Sequence, residues 1–85
     1  MKYVYPALVS KIDEGEFKYH ICFVDFGMST DGTSLDDAMM MADDLLKTII
    51  ETYQILGDKL PKPSEIDNIK KENASDMVKM IEVEV

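Results

Sequence analysis

The chain has no arginine and no tryptophan, one cysteine, one histidine, three prolines and four glycines in 85 residues. Without arginine, neither the bidentate reading of bases nor the forked grip on phosphate is available. Nine lysines against 17 carboxylates leave a net charge of −8, which repels polyanions. Nucleic acid is therefore a poor partner for this surface, and a basic protein is a good one, since complementary charge speeds its approach at low salt. Acidity also serves solubility by itself. The single cysteine, Cys22, builds neither a disulfide framework nor a thiolate zinc site, and points to a reducing cytoplasm. Long apolar runs are missing too. The opening MKYVYPALVSKID reaches Pro6 and Lys11 before a signal core or a membrane span accumulates, so the chain reads as a mature soluble protein.

What is present fits one core. A content of 46% hydrophobic residues over residues 1–85, with no internal repeat, predicts a single domain that buries about 60 to 65% of its unfolded surface. Residues 2–10, KYVYPALVS, place Tyr3, Tyr5, Ala7 and Val9 on one strand face and Val4 and Leu8 on the other. After the polar turn Asp13-Glu14-Gly15-Glu16, FKYHICFV alternates again, which predicts a β-hairpin. A short third strand is expected over Met28 to Thr30, ended by Asp31-Gly32. His20 alternates with strand residues and joins no Ser, Cys or Asp constellation, so no catalytic residue is assigned.

The segment DGTSLDDAMMMADDLL raises a choice between a metal site and a helix start. Ser34 followed by Asp37 has capping-box spacing, and Asp36 and Asp37 sit where the helix dipole favours anions. From Leu35 to Leu56 the apolar residues 35, 38, 39, 42, 45, 46, 49, 53 and 56 form a stripe of helical period that stops at Gly57. On such a helix Asp36 and Asp43, or Asp37 and Asp44, lie about 10 Å apart along the axis, too far to chelate one ion. No metal or other cofactor is assigned. Asp43, Lys47 and Glu51 have the spacing of a solvated ion-pair ladder. Residues 58–75 form a polar connector stiffened by Pro61 and Pro63, and MVKMIEVEV closes the chain as a strand. The order is β-β-β-α-β, an α+β domain with one long helix on a mixed four-stranded sheet. The last strand, after a crossover helix, is expected parallel to the first.

These residues resemble the HicB family of antitoxins from bacterial toxin-antitoxin pairs, over nearly the whole chain. The resemblance is carried by KYVYPALV, the EGEFKYHICF hairpin, DFG followed by TDGTSLDDA, MMMADDLL and LPKPS. It implies a partial ribonuclease-H-like fold and a protein that holds a small mRNA-cleaving HicA-type toxin inactive. Members of the family often carry prolines and a Gly-Cys pair after the second strand, where this chain reads FVDFGMST. Many also continue into a DNA-binding segment. This chain stops at Val85, so no direct DNA binding by it alone is expected.

Three functions are weighed. A neutraliser of a basic ribonuclease agrees with both charge and resemblance. A self-associating or orphan interaction domain, possible as a homo-oligomer, is the alternative, and a neighbouring gene for a small basic protein separates the two. A metal-dependent ribonuclease is least favoured, because KYVYPALVS carries no carboxylate to meet two metal ions. Expected partner contacts are the loop residues Asp25, Phe26, Met28 and Asp31, which combine charge with an apolar pair, and the outward helix residues Met40 and Ile55.

Overall fold

The computed structural model describes residues Met1–Val85. Strand β1 spans Lys2–Glu14, β2 Phe17–Phe23 and β3 Met28–Gly32; helix α1 spans Leu35–Leu56, a 3-10 turn Ile66–Asn68, and strand β4 Met77–Glu84. The four strands form one sheet in the order β3-β2-β1-β4. Every pairing is antiparallel. The α+β order is as the sequence predicts, but the sheet is not mixed: Lys2 faces Glu84 and Val9 faces Met77, so β4 runs against β1.

The reversal has a physical cause. A short loop after α1 would deliver β4 parallel to β1, whereas residues 57–76 are long enough to carry the chain to the opposite end of the sheet first. Their path is fastened at several points. The Tyr5 hydroxyl donates to the Pro61 carbonyl at 2.6 Å, and Ser64 bonds to Asp25. Ile69 is buried. Buried Asp76 closes the path, its Oδ2 accepting the backbone N–H groups of Glu72 and Asn73 at 3.1 Å. Pro6 is buried as well, although strand alternation turns it away from the helix.

The core lies between α1 and one face of the sheet, where Tyr5, Ala7, Val9, Ile21, Phe23, Ile81 and Val83 meet Ala38, Ala42, Leu46, Ile49 and Ile50. Burying each large side chain contributes roughly 1.5–3 kcal/mol, offset by chain entropy. Two details of the expected stripe change. Ile50 is fully buried, and Leu56, in the last turn, is 67% exposed. The N-cap forms as its spacing predicts, with Ser34 Oγ accepting from the Asp37 N–H at 3.1 Å. The Asp37 carboxylate returns one residue further back, to the Thr33 N–H at 2.9 Å. At the other end Gly57 takes φ 71°, and Asp58 N–H reaches the Tyr53 carbonyl at 3.0 Å, a Schellman closure. The ladder expected from Asp43, Lys47 and Glu51 does not close. The ion pairs are Met1–Glu84 and Lys18–Asp13, and His20 is hydrogen-bonded to Asp31; none of these lies on the helix. Holding two exposed side chains in register costs entropy that such pairs barely recover.

Candidate partner-binding surface

The β2–β3 turn is held from inside. Phe26 and Gly27 both donate their backbone N–H to the Phe23 carbonyl, at 3.1 and 2.9 Å, and Gly27 adopts φ 65°, which a side chain resists. Phe26 turns inward: its ring centroid lies 4.7 Å from Tyr5 and 5.5 Å from Tyr53. Asp25 accepts the Ser64 backbone N–H at 3.1 Å and the Ser64 hydroxyl. Burial, and then the nearby Asp25 charge, raise the pKa of Tyr5 above its ordinary value of 10.0. The turn without prolines is thus braced by an aromatic trio and by the proline-flanked connector.

Among the six residues expected to touch a partner, these contacts separate two groups. Asp25 and Phe26 are half-buried and engaged as described. Asp31 pairs with His20 at 2.6 Å. Met28, Met40 and Ile55 remain 46%, 68% and 84% exposed. They do not form one patch: Met40 and Ile55 are about 22 Å apart along the helix axis. Met28 belongs to a groove of about 170 Å³ between β3 and α1, with Leu45, Thr48, Ile49, Thr52 and Tyr53. Leu45, Thr48 and Thr52 were not legible as site residues, because helical period separates apolar from polar faces but does not show which flank overlooks a free sheet edge.

The shape of that groove follows from Gly32. A Cβ there would overlap the backbone of Ala38, so the missing side chain lets α1 sit directly on the end of β3. Toward Met28, about 13 Å along the strand, the two elements are separated by side chains and the groove opens. β3 is the edge of the sheet, so its outer backbone groups lie beside this opening.

The remaining chemistry is sparse. No three His, Cys, Asp or Glu side chains gather into a ligand set. Cys22 has its thiol pKa raised by burial, which keeps it in the less nucleophilic protonated form. No helix is long and apolar enough to cross a membrane.

Among solved structures, the chain is similar to one described as a toxin-antitoxin complex from Streptococcus pneumoniae, with 23% identity and a TM-score of 0.87 over 99% of this chain and 70% of that one. At that identity the likeness establishes the fold. No curated protein matches the sequence. One family pattern, described as the HicB-like antitoxin of bacterial toxin-antitoxin systems, matches residues 4–83. With nearly its whole length covered by that pattern, the chain belongs to the HicB-like antitoxin family.

Proposed function

We propose that this domain binds a small, basic HicA-type mRNA-cleaving toxin and inhibits it by covering its surface, with no chemistry of its own. The family match over residues 4–83 carries the reading. The charge of −8 without arginine supports it, because it repels the toxin's RNA substrate and attracts a cationic protein. So does the quiet interior: His20 is occupied by Asp31, and the one thiol is held protonated. Of the expected contact residues, Met28, Met40 and Ile55 are free to meet a partner, whereas Asp25 and Phe26 would act through the shape of the braced turn and Asp31 from within β3, where it holds His20.

The test is co-expression with the product of a neighbouring gene for a small basic protein, the adjacent toxin that this reading requires. A stable complex, together with relief of the growth arrest caused by that protein alone, is the expected result. A domain that purifies alone and leaves the arrest unchanged overturns the reading and returns the self-associating domain to first place.

A further inference from the structure

We propose that the free edge of β3 and the groove beside it are the seat of one extended, cationic segment from the partner, added as a fifth strand with an apolar residue turned into the groove. Three independent features point to this occupant. The first is the edge itself: β3 pairs only with β2, so its outer N–H and C=O groups are open to a further strand. The second is the groove, lined by Met28, Leu45, Ile49 and Tyr53 with Thr48 and Thr52 at its rim. An added strand points alternate residues to the helix side, and the central one of three would fall into this opening.

The third feature is charge. Moving round α1 away from the core, one passes Ile49, then Leu45 and Thr52, then Thr48, and then Asp44 and Glu51. Asp44 and Glu51 bracket Thr48 at spacings of four and three, and neither is joined to any cation within 4.0 Å. They stand about 10 Å apart along the axis. Both lie nearly opposite the buried stripe of α1, so they add to the negative field of the helix and not to direct pairing: residue i of the strand fills the groove while its cationic neighbours are held by that field. A second copy of this chain is the wrong occupant electrostatically, since each copy carries −8. The identity of the partner rests on the antitoxin reading; the surface and its preference for a cationic segment do not.

The probe is a synthetic peptide, TKTLTKT with blocked ends, titrated into the isotope-labelled domain and followed by amide chemical shifts. Shifts gathered on residues 28–32 and 44–52 are expected, with affinity lower by about tenfold or more for the charge-reversed TETLTET. Thr48→Arg should weaken TKTLTKT by about tenfold, because it fills the groove mouth and sets a cation against a cationic segment. Thr48 is exposed and arginine is the better helix former, so the variant keeps the fold, which circular dichroism checks. Equal binding of the two peptides, shifts along residues 77–84, or full affinity in Thr48→Arg each overturns the proposal. So does a sedimentation mass of two copies that Thr48→Arg reduces to one, which would make the second copy the occupant. With the adjacent toxin the failures separate: a complex that ignores Thr48→Arg removes the surface and leaves the toxin reading. No complex at all, with the peptide still bound in the groove, does the reverse.

Discussion

The carboxylate of Asp25 is bonded to both the backbone N–H and the hydroxyl of Ser64, 39 positions later in the chain. That one contact ties the β2–β3 turn to the connector that must carry the chain round to β4. Asp25→Ala removes the acceptor and leaves the Ser64 N–H without it. Because the acceptor is charged and half-buried, a loss of about 1–3 kcal/mol is expected, read by urea unfolding. Ser64→Ala keeps the N–H donor and should cost less. Non-additivity in the double variant, by 0.5 kcal/mol or more as is typical of contacting pairs, is the expected sign of direct coupling. Additive losses would mean that the two ends are not energetically linked.

Gly32 sets the height of the helix over the sheet. Gly32→Ala places a methyl group against the Ala38 backbone, with no flexible side chain there to move aside. A destabilisation of roughly 1–3 kcal/mol follows from overpacking at a well-filled contact. If the variant melts as the native protein does, α1 does not lie as close to β3 as the structure places it.

The elements were legible because their signals are local. Ser34, Asp37 and Gly57 mark the helix ends by chemistry that acts within one turn, and the alternation of Tyr5, Ala7 and Val9 fixes which strand face is buried. The direction of β4 was not legible, since a period of two reads the same both ways and the deciding contacts, Tyr5 to Pro61 and Asp25 to Ser64, join distant parts of the chain. The same limit hid the inward turn of Phe26. In the sequence it is an aromatic beside Asp25 and Gly27, a pattern equally suited to an exposed anchor; only the fold brings Tyr5 and Tyr53 to either side of it. Exposure of Met40 and Ile55 was readable from helical angle, whereas the groove, made by two elements, was not.

Alkaline pH should destabilise the fold in two steps. Burial raises the pKa of both the Cys22 thiol and the Tyr5 hydroxyl, so the folded chain holds these protons more tightly than the unfolded one. Below the unfolded values both states are protonated and the contribution is complete; it is lost as pH rises through the folded values. Melting temperature is expected to fall above about pH 9 for Cys22 and above about pH 10 for Tyr5. Cys22→Ala should remove the first step. Asp25→Asn should shrink the second without abolishing it, since burial outranks the Asp25 charge as its cause. A melting temperature flat from pH 8 to 11 contradicts both assignments.

Phe26 and Met28, two positions apart, should respond in opposite ways to substitution. Phe26 is half-buried between two tyrosine rings, and its loss would leave a gap at the point where the turn, the helix end and β1 meet. Phe26→Ala should therefore lower stability by about 2–4 kcal/mol, somewhat below the cost of a fully buried phenylalanine. Measured where the variant remains folded, its partner affinity should change less than its stability. Met28 is 46% exposed at the rim of the groove. Met28→Lys places a cation where the partner's apolar side chain is proposed to sit; it should melt within about 0.5 kcal/mol of the native chain and bind the adjacent toxin about tenfold more weakly. Urea unfolding and a titration with purified toxin give the two quantities for each variant. A Phe26→Ala chain that unfolds like the native one but fails to bind would make the ring an exposed anchor after all, and would move the interface from the groove to the turn.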